Sequence, residues 1–433
     1  MKKNKNSTRA FALKILYKIL HKKIFFSDAI ALYENNFDQF SDRDKKYIYQ
    51  LVHTVLRKKG YIDKIINLYL EKPLKNPEIK LILKIGIAQI VFLRTPGYAA
   101  VNHTVEIIKP KLKPFKPLVN AILRKISDNE NIYKDIIDNT IYILPDWILK
   151  RWQKNYGERT TKLITKSLTN EPYLDITINK NQNKIFREYN PTVLPNSSLR
   201  LKKFSKISSL PMYDQGRWWV QDASATFPAN LLINKLHNLK KIGVILDTCA
   251  APGGKTIQLL SAGFDVISID HDIKRINIMK NNLIRMRLNH SIVSTNYLEW
   301  KPKSNNISGI LVDAPCSGTG TLRRNPDIMW NREKHEILKL SNIQTKLLQH
   351  SLSLLQTGGI LVYSVCSIEP EEGINIARKA MNWPNISVSK ISADEMPKLE
   401  DSITKEGFAQ ILPHYWSDFG GLDGFFIARF EKK

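Results

Sequence analysis

Apolar residues recur at helical spacing through the first 130 residues of the chain. Between Thr8 and Leu20 they fall at positions 11, 13, 15, 16 and 19, close to the spacing of one helical face. The same spacing returns at 42–55, 62–70, 77–93 and 118–124. Because no strand-like alternation lies between these stretches, the pattern predicts an all-α bundle over residues 1–130.

The range 140–215 combines a helical and a strand-like pattern. A helix is predicted to begin at Leu144–Asp146 and to run to about Tyr156, since a proline and an acidic residue suit a first turn. Residues 174–179 alternate apolar and polar, as a half-buried strand does. The range therefore predicts a small α+β (ferredoxin/RRM-like) domain, joined to the bundle by a linker at 127–139.

From residue 216 to residue 433 short apolar strands alternate with helical stretches. Strands are predicted at 243–246, 266–269, 310–312, 360–363 and 425–430. Helices are predicted at 255–260, 273–288, 337–355 and 371–381. This alternation predicts a Rossmann-like α/β domain, with a parallel sheet covered by helices on both faces.

Composition indicates a folded protein with a polyanionic partner. The chain has 433 residues, of which 43% are hydrophobic and 24% charged, which fits two or three domains. Lys and Arg outnumber Asp and Glu by 66 to 40, a net charge of +26 that favours a nucleic-acid partner. A lysine-rich proteome is the alternative explanation of this charge.

Several classes of protein are not expected from the sequence. It contains no run of about 18 apolar residues, so we expect no membrane span. The basic N-terminus is not followed by an apolar segment, which favours the cytoplasm over export. Three cysteines without a CxxC pair or a Cys/His cluster predict neither a metal site nor a disulfide framework. We also expect a monomer.

Basic residues collect between the predicted helices of the bundle. They form three groups, 57–59, 109–116 and 124–125, and the prolines at 110, 114 and 117 place the middle group on a loop. Each group is either a phosphate-binding face or an ordinary solvated helix surface, and the sequence leaves both open.

Two cysteines follow predicted buried strands. Asp313 and Cys316 come after the strand at 310–312, and Cys366 comes after the strand at 360–363. Ligands of open α/β sheets bind beyond the carboxyl ends of the strands, so both thiols and the carboxylate are expected to face one crevice. This suggests covalent chemistry through sulfur, whereas two small buried core residues are the alternative.

A loop of small residues follows the first strand of the α/β domain. The sequence DTCAAPGGKT at 247–256 allows close backbone approach to a ligand, and Asp270 ends the next strand, where a carboxylate can bind ribose hydroxyls. The loop is neither GxGxxG nor a Walker P-loop, so a nucleoside is expected without NAD or a nucleoside triphosphate. A plain tight turn is the alternative, and Cys249 is expected to be a packing residue.

Together these stretches resemble the RNA cytosine-5 methyltransferases that use S-adenosylmethionine. The matching segments are DTCAAPGGKT at 247–256, DAPCSGTG at 313–320, RRNPDIMW at 323–330 and YSVCSIEPEE at 363–372. DRDKKYIYQLVHTVLR at 42–57 and LVNAILR at 118–124 are similar to the NusB-like domain of the Sun/Fmu group, the branch that acts on bacterial 16S rRNA. WVQDAS at 219–224 and DGFFIA at 423–428 extend the likeness over almost the whole chain.

The resemblance implies roles for three residues in methylating carbon 5 of a cytosine. Cys366 is expected to add to carbon 6 as a thiolate. Asp313 would hydrogen-bond nitrogen 3 and stabilise the charge on the base. Cys316 would assist loss of the carbon 5 proton and release of Cys366.

The resemblance also implies a site for S-adenosylmethionine. Asp270 would bind the ribose, Asp313 would lie at the edge of the crevice, and Asn296 stands where the family has an acidic residue beside the adenine. The loop residues expected to contact the cofactor are Cys249, Ala250, Ala251, Pro252, Gly253, Gly254 and Lys255.

The expected partner is 16S rRNA, and two alternatives stay open. The same chemistry on tRNA is one, and a non-catalytic RNA-binding ribosome-assembly factor is the other. Arg323, Arg324 and Trp330 are expected to meet phosphate and a stacked base, with core packing as the equal alternative for Trp330. The target base must leave its stack to reach Cys366.

Overall fold

The computed structural model describes residues 7–129, 133–178, 183–204, 206–239, 242–303 and 306–433. The chain divides into two compact units. The first comprises Met1–Asn170 with Leu322–Arg332, and the second comprises Glu171–Thr321 with Glu333–Lys433. The boundary at residue 170 falls inside the range 140–215, and the division into three domains at 1–130, 140–215 and 216–433 stays a prediction.

Helices form the regular structure of the first unit within the described ranges. Its longer helices are α1 (Thr8–Lys22), α4 (Asp42–Asn67), α5 (Pro77–Ile87), α6 (Gly97–Glu106), α7 (Lys116–Ser127) and α9 (Asp146–Ser167). Its short helices are α2 (Phe26–Ala31), α3 (Glu34–Phe37), α8 (Lys134–Asp138) and α13 (Ile328–Asn331). The predicted helical N-terminal domain is confirmed.

The starts of these helices follow from the residues that precede them. The Ser41 hydroxyl accepts a hydrogen bond from the Asp44 amide at 3.2 Å, and acidic residues in the first turn of α4 favour the helix dipole. Asn76 caps α5 in the same way at 3.0 Å, and Pro77 occupies the first helical position, where no amide hydrogen is needed.

Three predicted elements of this unit differ from the structure. The helix predicted over 77–93 ends as α at Ile87 and continues as a π-helical turn, Ala88–Phe92. The basic loop is in fact a 3-10 helix, Pro110–Phe115, because proline is compatible with its first turn. The stretches predicted at 42–55 and 62–70 are one continuous helix, α4. By contrast, the predicted helix end near Tyr156 is confirmed, because Gly157 is non-helical, with a φ of +77° that glycine adopts without strain, and it divides α9 at that point.

A small antiparallel sheet opens the second unit. Its strands in the order β2-β3-β1-β4 are Thr192–Val193, Leu199–Leu201, Leu174–Ile178 and Trp218–Val220. The predicted strand at 174–179 is therefore confirmed over Leu174–Ile178, and residue 179 lies outside the described residues. Buried Arg200 pairs with Asp175 at 2.6 Å, and it also donates to the carbonyls of Phe419 and Gly421, which ties this sheet to the C-terminal loops.

The larger sheet of the second unit follows the order β10-β12-β9-β8-β5-β6-β7 in the described part of the chain, with β11 paired to β12. Its strands are β5 (Val244–Thr248), β6 (Val266–Asp270), β7 (Ile292–Ser294), β8 (Ile307–Asp313), β9 (Ile360–Val365), β10 (Ile386–Val388), β11 (Ala409–Ile411) and β12 (Phe425–Lys432). Its helices are α10 (Ala223–Leu236), α11 (Gly254–Ser261), α12 (Ile273–Arg285), α14 (Lys334–Leu354) and α15 (Ile374–Ala380).

Both faces of this sheet are buried, as predicted. Ile245 and Leu246 are neighbours on β5 that belong to two different apolar clusters, one for each face. The sheet is mixed, however, because β12 pairs antiparallel with β9. β12 also runs antiparallel to β10 and β11, and the short connection from β11 to β12, which contains only a 3-10 turn, is compatible with an antiparallel return.

None of the described helices is both long enough and apolar enough to span a bilayer.

Candidate active site

The loop after β5 is shaped by residues that accept left-handed backbone. Cys249 has φ of +56° and Gly253 has φ of +100° immediately before α11. A Cβ at Gly253 would lie 2.8 Å from Cγ of Met279, so only glycine fits without displacing α12. The loop therefore presents its backbone closely to whatever lies beyond the sheet edge.

Asp270 holds this loop in place. Its carboxylate accepts hydrogen bonds from the amides of Ala251 and Asp272, each at 3.0 Å, and the side chain is almost completely buried. Asn296 lies beyond the end of the next strand and is exposed. Its carbonyl oxygen accepts from the Leu298 amide at 3.2 Å, and its amide group donates to the Glu299 carboxylate at 2.7 Å. The Glu299 carboxylate therefore lies beside Asn296, the residue that stands where the family has an acidic side chain.

A cavity of about 420 Å³ lies against the loop within the second unit. Its lining includes the loop residues Ala250, Ala251, Pro252, Gly254 and Lys255, and also Trp219, Gln221, Asp222, Arg285 and Asp313. The volume is within the usual range of roughly 300–1,000 Å³ for small-molecule sites. Close backbone, an ammonium group and carboxylates fit a nucleoside that carries a charged amino-acid portion.

Asp313 ends β8 and is held on both carboxylate oxygens. Lys255 Nζ lies 2.7 Å from Oδ2, and the Ser364 hydroxyl donates to Oδ1 at 2.9 Å. Asp313 and Ser364 are also register partners on the parallel strands β8 and β9. The carboxylate retains about 31% exposure, so its orientation is fixed while part of it stays accessible.

The two thiols are brought together beyond these same strands. Sγ of Cys316 lies 3.3 Å from Sγ of Cys366, although the residues are 50 apart in sequence. The Gly320 amide donates to the Cys366 carbonyl at 3.1 Å, which joins the two cysteine-bearing loops through the backbone. The hydrogen bond to Cys366 and burial raise the pKa of Cys316 well above its ordinary value.

The third cysteine has a different environment. Burial, with the charges of Asp270 and Asp313, raises the pKa of Cys249 to about 12. A thiol with such a pKa is a poor nucleophile at neutral pH, which agrees with its expected packing role. Asp247 is also buried; burial raises its pKa to about 7, and its Oδ1 has no hydrogen-bond partner among the described residues.

Sequence reasoning missed the residues that support the predicted ones. The pairing of Lys255 with Asp313, the hydroxyl of Ser364 and the buried carboxylate of Glu372 were not foreseen. Glu372 stands six residues after Cys366 in the quoted motif, and a carboxylate so close to a buried strand was the available signal.

Residues 322–332 lie in the first unit. This location bears on the expectation that Trp330 meets a stacked base and Arg323 a phosphate. Trp330 donates to the Leu56 carbonyl at 2.8 Å, and Lys59 Nζ lies 4.0 Å from its ring centre. These contacts support core packing for Trp330. Arg323 is only 1% exposed, so its side chain is not presented to a phosphate.

The basic group 57–59 also lies within the packing of the first unit. Arg57 is buried and donates to the Arg323 carbonyl at 2.7 Å, and Lys58 donates to the Thr169 carbonyl at 2.6 Å. Neither open interpretation, phosphate-binding face or solvated surface, describes these side chains. By contrast Lys111 and Lys113 of the middle group are exposed.

Across the described ranges, no group of three or more His, Cys, Asp or Glu side chains is arranged to hold a metal ion. The expectation of a metal-free protein stays a prediction.

Comparisons with known families cover both units. A family described as "16S rRNA methyltransferase RsmB/F" matches residues 235–431, and the NusB family matches residues 6–128. Ribosomal RNA small subunit methyltransferase B of Shewanella oneidensis is 30% identical over 98% of this chain and 99% of its own. The protein of the same name from Escherichia coli K12 is 30% identical over 100% of both chains.

A solved structure shows the same fold over nearly the full length. The crystal structure of the protein PH0851 aligns with a TM-score of 0.73 at 20% identity, covering 98% of this chain and 99% of that one.

Proposed function

Because the chain belongs to the ribosomal RNA small subunit methyltransferase B family, we propose that it methylates carbon 5 of a cytosine in 16S rRNA through a covalent cysteine–cytosine intermediate. Membership makes the protein an S-adenosylmethionine-dependent ribosomal RNA methyltransferase. The observation that carries the finer proposal is the pair of thiols 3.3 Å apart, beyond the strand whose end carries Asp313.

Cys366 is the proposed nucleophile. Carbon 5 of cytosine is a weak nucleophile, and addition of a thiolate at carbon 6 moves an electron pair onto carbon 5. The addition requires Cys366 as a thiolate, and the Cys316 thiol, whose pKa is raised by the hydrogen bond to Cys366 and by burial, lies 3.3 Å away as its hydrogen-bond partner.

Asp313 is the proposed partner of the base. At nitrogen 3, a proton shared with its carboxylate stabilises the charge that develops on the ring when Cys366 adds. Lys255 and Ser364 fix the carboxylate for this contact before the substrate arrives. Preorganisation of this kind avoids reorganisation during the reaction.

Cys316 is the proposed base of the second half-reaction. Cys316 first gives up its own proton to solvent, and the thiolate of a thiol with raised pKa is then a strong base that can accept the proton from carbon 5. The electron pair of that C–H bond then forms the 5,6 double bond, and the bond between carbon 6 and Cys366 breaks. Each cysteine thereby returns to its starting state after one proton is released.

The cofactor is held, in this proposal, by the loop Cys249–Lys255 and by carboxylates at neighbouring strand ends. Asp270 would bind the ribose, Asn296 with the adjacent Glu299 would meet the adenine, and Asp313 would lie at the crevice edge. When bound, S-adenosylmethionine supplies the methyl group that carbon 5 receives.

The test is a Cys316→Ala variant incubated with unmodified 16S rRNA and S-adenosylmethionine, then run on a denaturing gel. We expect a slowly migrating protein–RNA band, because addition by Cys366 proceeds while release is blocked. The band should be absent from Cys366→Ala and from the double variant.

Two other results would revise the proposal in different ways. A band with tRNA and none with 16S rRNA would keep the chemistry and replace the substrate. No band with either RNA, together with no methyl transfer by the wild type, would favour a non-catalytic RNA-binding assembly factor.

A further inference from the structure

Glu372 is a fully buried carboxylate close to the two thiols. It is 0% exposed and lies between β9 and α15 in the second unit. A buried carboxylate is costly unless hydrogen-bond donors surround it. Its side chain receives four such bonds, from the Ser317 amide at 2.8 Å, the Ser367 hydroxyl at 2.5 Å, the Gln344 amide at 3.1 Å and the Ser317 hydroxyl.

These donors come from both cysteine-bearing loops. Ser317 directly follows Cys316, and Ser367 directly follows Cys366. Their hydroxyls lie 3.2 Å apart and both donate to the same carboxylate oxygen of Glu372. One side chain therefore joins the two loops at the residues next to the thiols.

The position of Glu372 is itself fixed by the sheet and by a neighbouring helix. The buried Tyr363 hydroxyl, from β9, donates to the Glu372 carbonyl at 2.5 Å. Gln344 of α14 donates both to the Glu372 carboxylate and, at 2.9 Å, to the Pro315 carbonyl in the Cys316 loop. The carboxylate is thus a rigid centre to which each loop is attached separately.

We propose that Glu372 is a positioning residue, which sets the separation of Cys316 and Cys366 by binding both of their loops. The consequence for the reaction, sharing of a proton between the thiols, rests on the function proposed above. The geometric part does not, since it concerns only the distance between two sulfur atoms. The charge of Glu372 also contributes to the raised pKa of Cys316, after the hydrogen bond to Cys366 and burial.

The separation of the thiols can be measured without RNA or cofactor. In glutathione redox buffers two protein thiols are oxidised to a disulfide while one glutathione disulfide is reduced to two glutathione thiols. The equilibrium gives the effective concentration of Cys316 towards Cys366, and peptide mass spectrometry distinguishes this pair from any disulfide that involves Cys249. Closely held thiols give a high value.

The variant is Glu372→Gln, with Glu371→Gln as the matched control. Gln keeps the shape of the side chain, but its amide nitrogen cannot accept from the two serine hydroxyls. We expect the effective concentration to fall at least roughly tenfold in Glu372→Gln and to stay at the wild-type value in Glu371→Gln. An unchanged value in a folded Glu372→Gln variant would overturn the proposal.

A milder variant covers the possibility that Glu372→Gln does not fold. Ser367→Ala removes one donor and leaves the carboxylate its other partners, and it should lower the effective concentration by a smaller factor, about threefold. No decrease in Ser367→Ala would also overturn the proposal.

The consequence for catalysis is measured in a separate experiment, by the kinetics of RNA methylation. In Glu372→Gln the acidic limb of the pH profile of kcat for RNA methylation should shift towards lower pH, because Cys316 acts as a base and loses a charge that raises its pKa, while KM for RNA stays within about twofold. A lower thiol effective concentration in Glu372→Gln, combined with no adduct in Cys316→Ala and no methyl transfer by the wild type, would support the positioning role and refute the proposed function. A lowered kcat with an unchanged effective concentration would refute the positioning role alone.

Discussion

Two regions of the molecule bury charged side chains, and they use them differently. In the first unit Arg57, Lys58 and Lys59 point into the packing, and their partners are carbonyls, the Asp63 carboxylate and an aromatic ring. In the second unit Asp313 ends the strand that precedes Cys316, and Glu372 binds the serines that follow the two cysteines. Both regions were singled out in the sequence as candidate functional sites.

The two regions differ in whether their charged groups stay accessible once they are bound to partners within the protein. The basic side chains of the first region are occupied by groups of the protein itself, and burial lowers the pKa of Lys58 and of Lys59 to about 8. In the second region Asp313 keeps an accessible edge although both oxygens are bound. A charged group can therefore contact a substrate when it is oriented and still accessible, as Asp313 is, whereas an enclosed one, such as Glu372 or Arg57, can only hold neighbouring parts of the protein in place.

The largest effect is expected from matched substitutions of one carboxylate in each region. Asp313→Asn should lower kcat roughly 100- to 1,000-fold at saturating S-adenosylmethionine, because charge stabilisation at nitrogen 3 is lost. Asp63→Asn, which removes the partner of Lys59 and Lys84, should lower the free energy of unfolding and leave kcat within about twofold. Single-turnover methyl transfer and urea unfolding measure the two effects.

An equal loss of kcat in a folded Asp63→Asn variant would break the distinction between the regions. It would mean that the ion pairs of the first unit act on the reaction as well as on stability.

The cysteine site could be predicted because its geometry follows from strand order. Asp313 and Cys366 each follow an apolar strand, and parallel neighbours in a sheet end at the same edge, so the sequence alone brought them to one crevice. The supporting residues could not be predicted in this way. The bond between Lys255 and Asp313 spans 58 residues, and the bonds to Glu372 depend on side-chain orientations that no spacing rule supplies.

The fold of the second unit was predicted as far as periodicity reaches. Alternating strands and helices predicted β5, β6, β8 and β9 with α11, α12, α14 and α15. They predicted neither the short strands β7, β10 and β11 and the helix α10 nor the direction of β12. The apolar run at 425–430 is equally buried in a parallel or an antiparallel pairing. The direction of the strand therefore depends on the connection that precedes it. In the first unit the basic group at 57–59 was misjudged because charge was assumed to lie outside the packing.

The next effect, on stability, depends on pH and concerns His53 in the first region. Burial and the nearby Arg57 lower the pKa of His53 to about 4, from 6.5 in the unfolded chain. Between these values the unfolded chain binds the proton and the folded chain does not, so the free energy of unfolding should decrease as pH falls from about 6.5 to about 4. The full effect is at most about 3 kcal/mol.

His53→Gln should remove this part of the acid sensitivity. Hydrogen exchange of the α4 amides, compared at pH 7 and pH 5, reports the local stability of the helix that carries His53. If wild type and variant lose protection equally on acidification, His53 is not the responsible group.

The smallest expected effect is on RNA binding, and it compares exposed basic residues with an enclosed one. Lys111→Ala with Lys113→Ala removes two exposed ammonium groups of the middle basic group, whereas Lys58→Met removes one that already donates to the Thr169 carbonyl. Each phosphate contact contributes about 0.7 to 0.9 to the slope of log K against log salt, so the double variant should lower that slope by up to about 1.8 and weaken binding several-fold at low salt. Lys58→Met should leave the slope unchanged, because a side chain enclosed by the protein displaces no counterion from RNA. The reverse result, a reduced slope for Lys58→Met alone, would mean that Lys58 leaves its carbonyl partner when RNA binds. The 57–59 group would then have the phosphate-binding role that the sequence left open.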